Sequence, residues 1–135
     1  MLTVLTPSSY GQEVKKCDGT IVLFASNKAG QLTPEEIREF LFTFGKECRN
    51  NVEFSEFSNE VLFAVLYTQT ALTLRTMEKE KKLLELDEIM DDLSSPINDS
   101  ISVKKLIPRV EEARSSGKIK NQVLERLREA DAKSY

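Results

Sequence analysis

The sequence predicts an α/β fold, a central sheet with flanking helices followed by a C-terminal helical extension. Three segments carry that expectation. Thr20-Ile21-Val22-Leu23-Phe24 is a near-continuous apolar, β-branched run of the kind found in a strand buried on both faces. Thr33-Pro34-Glu35-Glu36 combines proline at a first helical position with a Thr-x-x-Glu capping box. Val52 to Phe57 sets Val52, Phe54 and Glu56 against Glu53 and Ser55 with the two-residue period of a strand.

Taken in order, Leu2 to Leu5 is the expected first strand. Thr6 then caps a helix with Pro7 at its first position and Tyr10, Val14 and Cys17 on one face. Asp18-Gly19 ends that helix, and the strand Thr20 to Phe24 completes a right-handed βαβ unit. From Thr33, Ile37, Phe40, Leu41, Phe44 and Cys48 form one apolar stripe that Arg49-Asn50-Asn51 closes. Beyond Ser58 two readings stand. Either Asn59 to Leu93 is one helix, supported by its Glu, Lys and Leu content and by Glu78 and Lys82 at i, i+4, or only Asn59 to Tyr67 is helical. In the second reading Ala71 to Met77 pairs with Lys82 to Glu85 as a hairpin. Thr68, Thr70, Thr73 and Thr76 make the hairpin the preferred reading, although its turn has no Gly, Asn or Asp. Leu86, Ile89, Met90 and Leu93 make a helical face in both, ended by Ser94-Ser95-Pro96.

This order of elements over residues 2 to 93 resembles the thioredoxin family. The segments VLTPSSYGQEVKKCDGTIVLFAS, AGQLTPEEI, NVEFSEF and TQTALTLRTMEKEKKLLEL carry the resemblance. It implies a thioredoxin-like central sheet, with Ala29 and Leu32 where the family has its two cysteines and Ala71 near its cis-proline. A redox-silent domain follows, because disulfide exchange needs an attacking thiolate that Ala and Leu lack. The alternative fold is mostly α with a small N-terminal β element. The stretch ASNKAGQLTPEE also resembles an EF-hand loop, with Gly30 at the sharp turn and Glu36 as last ligand. Ala25 and Ala29 occupy its first and fifth ligand positions, so calcium is not expected.

At 135 residues and 40% apolar content, the chain can bury one ordinary core. It opens with no basic stretch ahead of a long apolar run, and its longest apolar segment, Val61 to Tyr67, is far too short to span a bilayer. A cytoplasmic protein without a membrane partner is expected. Cys17 and Cys48 fit neither a disulfide framework nor zinc-finger spacing and are expected as small buried apolar residues. Whether they pair depends on a distance that sequence does not give. There is no histidine, and no local motif orients a nucleophile or an acid–base pair, so no enzyme activity, metal or cofactor is expected.

Two domains are expected, an α/β domain over 1–95 and a basic helical extension over 96–135. The net charge is 0 over residues 1–50, −7 over 51–100 and +4 over 101–135. In the extension Pro108 starts or kinks a helix, and Gly117 precedes a last helix with Ile119, Val123, Leu127 and Ala130 on one face. Ala113, Gly117 and Val123 match helix-turn-helix positions, but Glu112, Ser116 and Lys118 fall where that motif faces its core, and a pI near 5.2 opposes DNA affinity. Phe42 lies off the stripe of its helix.

The expected function is a redox-inactive protein-binding or assembly module. The alternatives are a mostly helical adaptor or chaperone and, more weakly, a nucleic-acid-associated protein. The partner would be another protein or a second copy. Candidate contacts are Phe42, the turn Ala29-Gly30-Gln31-Leu32, the stripe Ile119, Val123 and Leu127, and the cations Lys104, Lys105, Arg109, Lys118 and Lys120.

Overall fold

The structure, a computed structural model, describes residues 16–98, 101–115 and 117–133. Among them there is no strand. Seven α-helices follow one another: α1 (Gly19–Asn27), α2 (Pro34–Phe42), α3 (Val52–Thr68), α4 (Thr70–Lys79), α5 (Leu86–Leu93), α6 (Val103–Glu112) and α7 (Ile119–Lys133). A 3-10 turn, Lys46–Cys48, joins α2 to α3. The expected α/β sheet and the thioredoxin-like resemblance built on it are therefore overturned. The expected strand Leu2 to Leu5 and the body of the helix begun at Pro7 lie outside the described residues.

Each misread strand has a local physical reason. Asp18 does not end a helix but starts one, its carboxylate accepting from the Thr20 amide at 2.9 Å and the Thr20 hydroxyl at 2.6 Å. In α1 only Val22 and Ala25 are buried, three residues apart, while Leu23 and Phe24 face outward. The apolar run is one-sided and helical. Val52 to Phe57 is likewise the first turn and a half of α3, capped by the Asn51 side chain accepting from the Phe54 amide at 3.1 Å. Phe54, Ser58, Val61, Leu62, Val65 and Leu66 then recur at helical spacing on the buried side.

The threonines that favoured a hairpin belong to helices. Thr70 donates its hydroxyl to the Leu66 carbonyl at 2.7 Å and Thr76 to that of Leu72 at 2.8 Å, each four residues back. Thr68 does the same to Ala64 at 2.8 Å. Such back-bonding gives each hydroxyl a partner within the helical geometry, so these threonines are accommodated in helices. The single long helix over 59–93 is not formed either. The chain breaks at Gln69 (φ −135°, ψ 55°) and again between Lys79 and Leu86.

The Thr33 capping box forms with both reciprocal bonds, Glu36 amide to Thr33 hydroxyl at 3.1 Å and Thr33 amide to Glu36 carboxylate at 2.9 Å. Helix α2 stops at Phe42, earlier than its stripe suggested. Phe44 and Cys48 still reach the core through the 3-10 turn, and Phe44 packs edge-on against Phe40 and Phe54 at 5.4 and 6.4 Å between ring centroids.

Helix α3 is the axis of the assembly. Helix α1 packs along it, and α4, α5 and α6 also lie against it. Helix α2 rests on α1 and α4, and α7 on α4, α5 and α6. One cluster of buried side chains runs from Val22 to Ala130, so the apolar stripe of α7 is docked in the same core as α3. No described helix is long and apolar enough to cross a membrane.

Two side-chain amides, the half-buried Gln69 and the buried Asn59, clamp this packing. Gln69 accepts from the Gly30 and Leu32 amides at 3.1 and 2.9 Å and donates to the Leu32 carbonyl at 2.8 Å, seating the α1–α2 loop on the α3–α4 junction. Asn59 donates to Asp92 and to the Ser95 carbonyl and accepts from the Ile97 amide at 2.9 Å, fixing the end of α5. Cys17 and Cys48 are joined as a disulfide, with Cα atoms 5.4 Å apart.

Candidate functional site

One edge of α3 stays clear of the core. Glu53, Glu56, Glu60, Ala64 and Tyr67 follow each other at three- and four-residue spacing, and all are exposed. Helix α6 lies beside the C-terminal half of α3. Between them opens a groove of about 430 Å³, lined by Glu60, Phe63, Ala64, Tyr67 and Thr68 from α3 and by Ile101, Ser102, Lys105 and Leu106 leading into and along α6.

Tyr67 is the largest apolar surface there, 41% exposed. The Arg109 guanidinium stands 4.4 Å from its ring centre, and Arg109 Nε donates to the Tyr67 carbonyl at 2.8 Å. One side chain thus satisfies an end carbonyl of α3 and holds the ring from one face. Ala64 makes the small floor. Glu60, bonded to the Asn98 amide, and Lys105 line the groove, and Arg109 stands beside it against Tyr67. The arrangement is a mainly apolar trough that carries both a carboxylate, Glu60, and a cation, Lys105, on its lining, suited to holding a chain segment by burial and polarity.

A second cavity, about 260 Å³, lies beside the disulfide between Phe44, Cys48, Arg49, Phe54, Ser58 and Asp92. Burial pushes the Asp92 carboxyl up to about 6, against the bond from Asn59, and the neighbouring Glu88 and Asp91 charges add to the rise. Arg49 pairs with Glu88, which raises the Arg49 pKa through that hydrogen bond and the opposite charge. Among the described residues no three His, Cys, Asp or Glu side chains are grouped to hold a metal. At the EF-hand-like loop Glu36 is engaged in the capping box and with Lys28 at 3.4 Å, and these contacts lower its pKa, the Thr33 backbone bond most.

The sequence-derived candidates fall in different places. Lys105 is brought into the groove lining, and Arg109 is brought against the Tyr67 ring beside it. Ile119, Val123 and Leu127 are in the core, at most 2% exposed. Leu32 is the buried residue of the α1–α2 loop, whereas Gly30 (φ 97°) and Gln31 are exposed and Ala29 is half-buried. Phe42 is half-buried with the Arg38 guanidinium 5.9 Å from its ring. Lys104 pairs with Asp131 at 2.9 Å, and Lys120 donates to the Glu111 and Ala113 carbonyls at 2.8 and 2.9 Å, closing the end of α6. Lys118 is exposed at the start of α7. The extension's cations are thus mostly bound within the chain, Arg126 and Arg128 included, through Asp91 and Glu111.

Ala64 and Tyr67 were not among the sequence candidates. Their signal was present: once Asn59 to Tyr67 is read as helix, Glu60, Ala64 and Tyr67 fall on the face opposite Leu62, Val65 and Leu66. Comparison with protein families, with curated proteins and with solved structures finds no match to this chain.

Proposed function

We propose that the chain is a non-catalytic, all-helical protein-binding module that receives an amphipathic helical segment of another protein in the α3–α6 groove. The observation that supports this reading is Tyr67, an exposed aromatic braced by Arg109 beside the apolar floor of Phe63, Ala64 and Leu106. Exposed aromatics with restrained side chains are the anchors that dominate interface energies, because little conformational freedom is lost on binding. Charge complementarity selects the occupant's chemistry. A segment with two or three apolar residues at helical spacing, a cation toward Glu60 and a carboxylate toward Lys105 and Arg109 matches the trough.

A displayed library of random peptides, selected on the immobilised full-length chain, tests this. Peptides with spaced apolar anchors should be recovered, and Ala64→Arg, which fills the floor, should weaken them at least about tenfold, while Lys118→Ala leaves them unchanged. Recovery of no peptide, or of peptides indifferent to Ala64→Arg, would contradict the proposal.

A further inference from the structure

We propose that the Cys17–Cys48 bond is a redox latch whose reduction frees the strap of Lys16 and Cys17 from the turn preceding α3 while the helical core, with its Asp18 cap, stays folded. Among the described residues, the strap meets the rest of the chain through the following bonds. The Cys17 amide donates to the Thr43 carbonyl at 2.9 Å, Lys16 Nζ donates to the Phe44 carbonyl at 2.8 Å, and Lys16 stands 3.5 Å from the Glu85 carboxylate. The disulfide is the only covalent tie among these contacts, and it bridges 31 positions of sequence.

Backbone conformation favours release once the bond opens. Cys17 has φ 61°, and among the described residues it is the single non-glycine residue at positive φ. That region crowds the Cβ of an L-residue, so it persists only where surrounding contacts impose it. With the sulfur free, Cys17 can relax to an ordinary conformation.

The core is attached independently of the latch. Val22 and Ala25 bury α1, Ile37, Phe40 and Leu41 bury α2, and Gln69 clamps the loop between them with three hydrogen bonds. None of these contacts passes through sulfur. Cys48 is 4% exposed whereas Cys17 is half-buried at the surface, so an incoming thiolate meets Cys17 first.

The exchange balances with a dithiol as reductant. Its thiolate attacks Cys17 Sγ, the Sγ–Sγ bond breaks, and Cys48 leaves as a thiolate that takes up a proton. The second thiol of the reagent, losing its own proton, closes on the mixed disulfide and releases Cys17. The protein gains two electrons and two protons, and the dithiol becomes its disulfide. In a reducing compartment the strap is released and in an oxidising one it is closed, so the latch would report its surroundings wherever the chain resides.

The test uses the full-length chain purified in air, with and without dithiothreitol. Iodoacetamide should add nothing before reduction and two groups after it, by mass. Reduction should leave the far-ultraviolet helical signal in place, lower the melting temperature by roughly 10 °C, and speed tryptic cleavage of the Lys16–Cys17 bond by about tenfold or more. Cys17→Ser combined with Cys48→Ser should match the reduced protein with or without reagent. Two thiols that alkylate before reduction and resist oxidation by diamide would overturn the proposal. So would equal cleavage in both states, or loss of the helical signal on reduction, which would make the bond a staple the fold depends on. If the double variant fails to fold while reduced wild type keeps its helices, the wild-type comparison decides.

Discussion

The side-chain amide of Asn59 donates to both the carboxylate and the backbone carbonyl of Asp92, at 2.9 and 3.2 Å, across 33 positions of sequence. Asn59 is 3% exposed, in the middle of α3, and the same side chain also binds the Ser95 carbonyl and the Ile97 amide. A single residue therefore ties the end of α5, and the chain leading toward α6, to the central helix. Replacing Asn59 by Ala removes all of these bonds at once and leaves the partly buried Asp92 groups without this partner. Denaturant unfolding of Asn59→Ala should show a loss of about 3 kcal/mol, with an unchanged slope.

Asp92 gives this contact a pH dependence of definite sign. Its pKa is about 6 in the folded chain, mainly through burial, above its ordinary carboxylate value of 3.8. The folded state thus prefers the protonated form. The associated stability is full below the unfolded pKa and disappears as pH rises through the folded one. Asp92→Asn keeps a neutral acceptor for Asn59 and should be more stable than wild type by about 2 kcal/mol at pH 7. The gain should shrink between pH 6 and pH 4, as measured by urea midpoints across that range.

Gln69 is the corresponding clamp at the other end of α3. Its three bonds to Gly30 and Leu32 hold the loop over the helix break. Gln69→Ala should cost about 2 kcal/mol. Amide hydrogen exchange should quicken at Gly30 and Leu32 far more than in α7.

Gly117 shows where backbone and side chain meet. It has φ 98°, and a Cβ added there would come within 2.3 Å of the Glu78 carboxylate, which accepts from the Ile119 amide at 3.1 Å. Gly117→Ala therefore combines a strained conformation with displacement of the group that caps α7. A loss of about 1–2 kcal/mol is expected, read as a lower denaturation midpoint. Glu78→Gln, which keeps the acceptor, should change the midpoint far less than Glu78→Ala.

The caps and stripes that lie close together in sequence were legible. Thr33 with Glu36 marked the start of α2, Leu86 to Leu93 the face of α5, and Ile119 to Ala130 the buried side of α7. These signals need only local geometry. Thr20 to Phe24 and the threonines of α4 misled because β-branched composition favours a strand. The features that decide for helix, the Asp18 cap and the hydroxyl bonds to Leu66 and Leu72, become apparent only once helical geometry exists. At the groove, Lys105 and Arg109 were legible as exposed charge. Ala64 and Tyr67 were legible as the outer face of a helix, but they line a groove only when α6 is placed beside α3, which is a tertiary relationship.

The most direct test of a binding groove on an all-helical chain is assignment of the backbone carbon and amide shifts of the full-length protein, with the amide shifts followed during titration with a library-selected peptide. The account predicts carbon shifts of helical sign through Thr20–Phe24, Val52–Phe57 and Thr70–Met77. It also predicts peptide-induced changes concentrated at Ala64, Tyr67, Ile101 and Leu106. Strand-like shifts in any of those three segments, or perturbations centred on Leu23 and Phe24 instead of the α3–α6 groove, would contradict it.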